Sequence, residues 1–306
     1  MGEVAIVIVT FHSAGEIAAC LDSALATGAE VVVVDNASTD GTVDRVRQRG
    51  ARLIANPTNV GFAAAVNQGV RSTSAPFLLL LNPDAVIQGG LECLVSACSS
   101  PGAGLAGGCL VDASGLVQKG FCVRRFPTPL ALAFEALLIN RLWPGNPVNW
   151  QYRCMGMDYG VSCEVEQPAG AFLMFRREVW ERLGGFDERF RPVWFEDVDF
   201  CLRARLTGYR ARYVPGAVAK HTGGHAVRKI PLESRQLYWY GSLLIYASKH
   251  FSRWKTAGLC LAVMTGSVLR LMMGICHSRS LKPIAVYSRI VRLAGSRLMA
   301  SLRAAG

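Results

Sequence analysis

The sequence predicts an α/β protein built on a doubly wound, mostly parallel sheet. Strand and helix patterns alternate through the first hundred residues, and a polar cluster stands wherever a strand of that series ends. The composition agrees: hydrophobic residues make up 51% and charged residues 18% of 306 positions, enough for a sizeable core and too apolar for a disordered chain.

Each element has its own signal. Residues 4–10 (VAIVIVT) are a continuous apolar run, as expected for a strand covered on both faces. Residues 14–26 place Ile17, Leu21 and Leu25 on one helical face. A second buried strand spans 30–34 and runs into Asp-Asn-Ala-Ser-Thr-Asp-Gly, which is dense in turn and cap residues. A short helix over 42–50, a strand over 51–55, a helix over 62–72 and a strand over 77–81 follow. Residues 100–165 are less regular and contain LALAFEALLI, an exposed lid or a docking helix. Regular signals return with a strand at 172–175, a helix at 177–183 stopped by Gly184-Gly185, and a helix at 196–206 stopped by Gly208.

The net charge of +11 is unevenly placed. Glu233 is the last acidic residue, and eleven basic residues follow it, so the preceding part is electrically balanced. This asymmetry divides the chain into a domain over 1–232 and a basic tail over 233–306, and it suggests an anionic partner for the tail. Ten cysteines show no C-x-x-C or finger spacing, which disfavours zinc and fits reduced, buried thiols in a cytoplasmic protein. MGEVAIVIVTF has neither a basic leader nor a cleavage site and is expected not to be a signal peptide.

No GxGxxG follows the first strand and no GxxxxGK[ST] occurs, which disfavours dehydrogenases and P-loop enzymes. The candidate chemistry lies at the strand ends: Thr10-Phe11-His12, Asp35-Asn36 and Asn82-Pro83-Asp84. Asp35 either meets a nucleotide base or ribose or caps the next helix, although Ser38 and Asp40 stand nearer for capping. Asp84 can hold Mg²⁺ or Mn²⁺ with substrate phosphates completing the shell, or it belongs to a simple Asx-Pro turn. In VWFEDVDFC (193–201), Asp199 can pair with Arg203 one turn on. Glu196 and Asp197 occupy the opening turn, where the helix dipole favours negative charge. Capping alone leaves Trp194 and Phe195 unexplained, whereas the aromatic wall of a sugar-acceptor site accounts for them.

Six segments, in order, resemble family 2 glycosyltransferases of the GT-A fold, in the branch of bacterial rhamnosyltransferases. They are VIVTFHS (7–13), VVVVDNASTDGT (31–42), NVGFAAAVNQG (59–69), LLLLNPDA (78–85), AGAFLMFRREVWERLGGFDERF (169–190) and FEDVDFCLRARLTGYRARYVPGAVAKH (195–221). The resemblance covers about the first 220 residues. It implies transfer of a sugar from a nucleotide diphosphate to an acceptor hydroxyl with inversion at the anomeric carbon. Thr10 and Phe11 would line the nucleotide pocket, Asp35 would contact a pyrimidine base with Asn36 nearby, and Gly61 and Asn67 would shape the facing loop and helix. Asp84 would hold the metal, with Asn82 standing where many relatives have a first Asp. Asp197 would be the base, Glu196 and Trp194 would border the acceptor, and His221 would aid the metal or diphosphate unless it is an ordinary surface histidine.

The branch further implies dTDP-L-rhamnose as donor and a lipid-linked or cell-surface glycan as acceptor. The competing reading is an inactive nucleotide-sugar-binding or scaffold subunit, supported by Asn82 and opposed by intact Asp84, Glu196 and Asp197. In the tail, residues 256–276 have only about fourteen uninterrupted apolar positions, short of the roughly 20 a span needs. With basic flanks (Arg253, Lys255, Arg279 and Lys282) they read as an interfacial helix or hairpin on the anionic inner face of the cell membrane. A homo-oligomer contact is the alternative, and nucleic acid is disfavoured because the basic residues do not cluster.

Overall fold

The structure is a computed structural model that describes residues 3–223, 230–278 and 282–303. The chain folds as two compact units. The first comprises Met1–Phe126, Arg153–Glu188 and Glu196–Lys229, and the second Pro127–Tyr152, Arg189–Phe195 and Ile230–Gly306.

In the first unit, β1 (Val4–Thr10), α1 (Ile17–Leu25), β2 (Glu30–Asp35), α2 (Thr42–Gln48), β3 (Arg52–Ala55), α3 (Phe62–Arg71) and β4 (Phe77–Leu81) follow the expected alternation. These four strands pair in parallel in the order β3-β2-β1-β4. Every residue of β1 is buried. Helix α3 packs against β1 and β2, and α1 against β2, which is why these strands read as apolar runs without alternation.

Beyond β4 the sheet becomes mixed. The chain forms β5 (Ala85–Gly89), α4 (Leu91–Ser99), β6 (Ala103–Val111) and β7 (Val123–Arg124). Three helices of the second unit, α5 (Pro129–Ala136), α6 (Ile139–Leu142) and α7 (Pro147–Tyr152), come next. Then β8 (Cys163–Val165), β9 (Gln167–Pro168), β10 (Phe172–Arg176), α8 (Arg177–Leu183), α9 (Glu196–Leu206) and β11 (Arg210–His221) complete the first unit. Strand β10 lies antiparallel between β4 and β6, giving a nine-stranded sheet ordered β3-β2-β1-β4-β10-β6-β11-β5, with β8 beside β11. Strand β11 bends at a register shift between Val214 and Val218, around Pro215-Gly216, and then pairs with β5. That pairing sets His221 opposite Ala85, next to Asp84.

The second unit also holds α10 (Leu232–His250), α11 (Arg253–Ser278) and α12 (Lys282–Arg303). The expected interfacial helix or hairpin over 256–276 is one uninterrupted helix, long and apolar enough over Arg253–Ile275 to cross a membrane by length and composition. The flanking Arg279 lies outside the described residues. LALAFEALLI (130–139) is not one helix: it holds most of α5, a break at Leu138, whose φ is 66°, and the first residue of α6. Its first part, α5, buries Ala131, Leu132 and Ala136. Arg270 of α11 donates to the carbonyls of Glu135 (2.9 Å) and Ala136, neutralising the negative end of the α5 dipole.

Candidate active site

The Asn-Pro-Asp turn after β4 and the end of β11 bring three sequence-predicted residues together. His221 Nε2 lies 3.4 Å from Asp84 Oδ1 and 3.5 Å from Asn82 Nδ2. Asp84 and His221 are both buried, so the surface-histidine reading does not hold. The imidazole is fixed from behind. Gln118 Nε2 donates to the His221 carbonyl oxygen at 2.7 Å, which orients the amide so that Oε1 faces His221 Nδ1 at 3.0 Å. A carbonyl oxygen only accepts, so His221 Nδ1 donates to Gln118, and Nε2 is the ring nitrogen that faces Asp84 and Asn82. Phe121 stacks on the ring at 5.1 Å and 11°.

This donor set fits a divalent cation. An imidazole whose other nitrogen donates to a fixed acceptor is the usual arrangement of a ligating histidine. One carboxylate plus one imidazole leaves positions for water and phosphate oxygens. Cys20 lies close by with its thiol on the Asn82 carbonyl (3.4 Å), and burial followed by the charge of Asp84 pushes that thiol well up, so it stays neutral. Among the described residues no group of three or more His, Cys, Asp or Glu is arranged to hold a metal unaided.

The helix α9 carboxylates differ in burial and partners. Asp199, fully buried, binds Arg203 Nε at 2.7 Å. Arg203 then donates to the carbonyls of Leu183 and Gly185, both at 2.9 Å, tying α9 to the turn that ends α8. Glu196 is also buried, whereas Asp197 is partly exposed. Asp197 Oδ2 accepts the Gly170 amide at 3.0 Å, and Oδ1 accepts the amide of Val198 at 2.8 Å. A side chain on Gly170 would place its Cβ 3.0 Å from Asp197 Cβ and Oδ2, a contact tight enough that the Asp197 side chain would have to shift by a few tenths of an ångström. The next residue, Ala171, accepts the amide of Asn82 at 3.0 Å. Two adjacent residues therefore connect the Asp197 carboxylate to the Asn82–Asp84 turn.

The opposite strand ends are braced. Thr10 donates to Asp35 Oδ1 at 2.7 Å, and the Ser38 amide donates to Oδ2 at 2.8 Å. Asp35 is only 1% exposed, so it is neither the cap of α2 nor an open carboxylate. It holds the loop whose Ser38 Oγ accepts the His12 amide (2.8 Å), beside Phe11. Asn36 donates to the carbonyl of Gly61 at 3.3 Å and accepts from Asn56 at 3.1 Å, linking this loop to the start of α3. Asn67 uses all its hydrogen-bonding positions inside the protein. Oδ1 accepts from Trp180 Nε1 (3.0 Å) and the Phe186 amide (2.9 Å), while Nδ2 donates to Phe186 O and Glu188 Oε1, both at 2.9 Å. It is a brace with no hydrogen-bonding position left for a ligand.

The Glycosyl transferase family 2 model matches residues 5–159, half of the chain, and the Glycosyl transferase family group 2 model matches residues 149–295. The chain belongs to glycosyltransferase family 2. An N-acetylglucosaminyl-diphospho-decaprenol L-rhamnosyltransferase of Mycobacterium tuberculosis is 28% identical over 244 residues, covering 74% of this chain and 76% of that protein. Rhamnosyltransferase WbbL of Escherichia coli is 26% identical over 163 residues, 53% of this chain and 58% of that protein. Among solved structures, the mannosyltransferase PcManGT from Pyrobaculum calidifontis, in complex with GDP-Man and Mn²⁺, superposes with a TM-score of 0.54 at 20% identity. It covers 98% of this chain and 86% of its own. The fold is GT-A, with a central mixed sheet flanked by helices.

Within this family 2 glycosyltransferase, one sequence expectation is overturned. The aromatic residues around Glu196–Asp199 do not form one wall. Phe195 is buried against Trp239 (6.2 Å) and Tyr246 (5.4 Å) in the second unit, and Phe200 is fully buried against Phe186, stacked at 4.3 Å, in the first. Only Trp194 stays partly exposed. Trp194 and Phe195 have φ of 83° and 70°, a strained pair immediately before α9. Gln118, Phe121 and Gly170 were not singled out from the sequence. They act through backbone and ring geometry that no local motif reveals, although AGAF (169–172) lies inside a segment carrying the family resemblance.

Proposed function

We propose that this glycosyltransferase moves L-rhamnose from dTDP-L-rhamnose, with inversion, to a hydroxyl of a lipid-linked or cell-surface glycan at the cytoplasmic face of the membrane. The observation that carries the reaction class is the short link from the partly exposed Asp197 carboxylate, through Gly170-Ala171, to the Asn82–Asp84 turn. Rhamnose and a lipid-linked acceptor rest on the M. tuberculosis and E. coli relatives named above.

The base is Asp197. Its two oxygens each hold one backbone N–H, which fixes the carboxylate plane and leaves lone pairs to receive the acceptor proton as the new bond forms. Glu196 borders the acceptor on the first unit. Asp84 and His221 would hold Mg²⁺ or Mn²⁺, with Asn82 beside them 3.5 Å from His221 Nε2 and facing the nucleotide sugar. When bound, the ion supplies charge stabilisation for the leaving diphosphate. Thr10, Phe11, Asn36 and Gly61 frame the nucleotide pocket, which Asp35 and Asn67 shape from behind. The first unit binds the donor and carries the base, and the tail holds the enzyme at the membrane.

Incubating the protein with Mg²⁺ or Mn²⁺, a water-soluble acceptor and a panel of nucleotide sugars, and measuring released nucleotide diphosphate, tests the donor. Release confined to a sugar other than rhamnose would refute that assignment. Gln118→Met removes the acceptor for His221 Nδ1 at similar size. It is expected to weaken Mn²⁺ binding, read by electron paramagnetic resonance without substrate, by roughly ten- to a hundred-fold. Unchanged binding would remove His221 from the metal site.

A further inference from the structure

Helix α11 has two apolar faces, and protein covers only one of them. Thr256, Leu259, Cys260, Val263 and Ser267 are buried, and Arg270 on the same side is held by the end of α5. On the opposite side Trp254, Gly258, Leu261, Thr265, Val268 and Met272 recur at steps of four and three, which makes a single straight stripe on a helix. Trp254, Leu261, Val268 and Met272 are each 49–63% exposed. The outer face of a helix on a water-soluble protein is normally polar, yet no charged residue lies between Lys255 and Arg270.

Helix α12 packs along α11 after a link of three residues, so the two helices run antiparallel. Five of its exposed residues form a second stripe, Arg289, Arg292, Ser296, Met299 and Arg303, again at steps of three and four, while the exposed Ile284 and Leu302 lie off it. One hairpin thus carries an apolar stripe on one helix and an arginine stripe on the other.

We infer that this hairpin is a docking surface for an anionic lipid bilayer. The apolar stripe of α11 enters the acyl boundary and Arg289, Arg292 and Arg303 engage lipid phosphates. This rests on the reading of the tail as a membrane-associating segment and names the surface that performs it. Charge selects the bilayer over a second copy of the chain. The second unit contains only two carboxylates, Glu135 and Glu233, against Arg141, Arg189, Arg191 and the eleven basic residues of the tail. Two such faces would meet with like charges and no acidic partners, whereas a bilayer rich in phosphatidylglycerol supplies the missing anions. Attachment along the surface also follows from the packing. The inner side of α11 is already occupied and Arg270 already holds the carbonyls of α5, so lipid has access to the outer stripe alone.

The test uses the full chain with sedimenting vesicles of phosphatidylcholine alone or with phosphatidylglycerol. Two variants are compared, Leu261→Asp/Val268→Asp/Met272→Asp and Arg289→Gln/Arg292→Gln/Arg303→Gln. Circular dichroism checks their folding, and Leu261→Asn/Met272→Asn replaces the first if it fails to fold. Wild type is expected to partition at least about tenfold more onto anionic vesicles, in a salt-sensitive way, and both variants should lose that preference. Transfer to a water-soluble acceptor should be unchanged by either. Equal partition of variants and wild type would overturn the assignment, as would failure of wild type to bind anionic vesicles. A concentration-dependent dimer abolished by the aspartates would give the stripe to a second copy and would overturn it as well. If no nucleotide diphosphate is released from any donor while vesicle binding behaves as expected, the transferase reading fails and the docking surface stands.

Discussion

Replacing Asp197 by Asn lowers the rate of sugar transfer by roughly a hundred- to ten-thousand-fold, the range for losing a positioned general base, and leaves nucleotide affinity unchanged. The geometry gives two reasons for that pattern. Asp197 touches the rest of the first unit through the Gly170 amide, so its removal disturbs the base position and not the Thr10–Asp35–Ser38 brace on the far strands. An amide also presents one oxygen where the carboxylate presents two, so either Gly170 or Val198 must release its hydrogen bond or face an NH₂ group. The loss therefore has a chemical part, no base, and a smaller geometric part. Single-turnover transfer and titration with nucleotide diphosphate separate them. If affinity collapses together with rate, Asp197 shapes the donor pocket and the base lies elsewhere.

Gly170→Ala offers a graded comparison, since its Cβ would press on the Asp197 carboxylate without removing it. It should slow transfer less than Asp197→Asn does. Measured on the same acceptor, an equal or larger loss would show that the AGAF segment carries more than the placement of Asp197.

How much of this was legible in sequence depends on the range of the interaction. Strands β1, β2 and β4 were readable because burial on both faces leaves a continuous apolar run, and that signal is local. The pairing of Asp199 with Arg203 was readable because four residues make one helical turn. Asn82, Asp84 and His221 were each named from motif resemblance, but their meeting depends on β11 pairing with β5 across more than 130 residues. Gln118, from a loop between those elements, could not be singled out without that pairing. The aromatic residues misled for the same reason. Phe195 and Phe200 flank the same carboxylates in sequence, yet the chain passes from the second unit to the first between Phe195 and Glu196, so each ring enters a different core.

Asn67 is the case where function and structure make opposite forecasts. A residue that contacts the donor should, when cut to Ala, weaken nucleotide binding and leave folding intact. Here the side chain satisfies the Trp180 indole N–H, the Phe186 amide and the Phe186 carbonyl, and also meets Glu188. Gly185 has φ of 86°, and a Cβ there would sit 2.7 Å from Asn67 Oδ1, so the turn has closed onto this amide. Arg203 grips the same turn from α9, holding Leu183 and Gly185. Asn67→Ala leaves buried partners without hydrogen bonds at about 1–3 kcal/mol each, so a loss of about 2–5 kcal/mol in unfolding free energy is expected. That is a large share of the roughly 5–15 kcal/mol that holds a domain together. Urea denaturation at fixed protein concentration reads it directly. Because the turn also anchors α9 through Arg203, transfer should fall as α9 loosens, and the fall should lessen on cooling toward the temperature of maximum stability. Full stability with weakened donor binding would return Asn67 to the nucleotide pocket and make the turn an incidental neighbour.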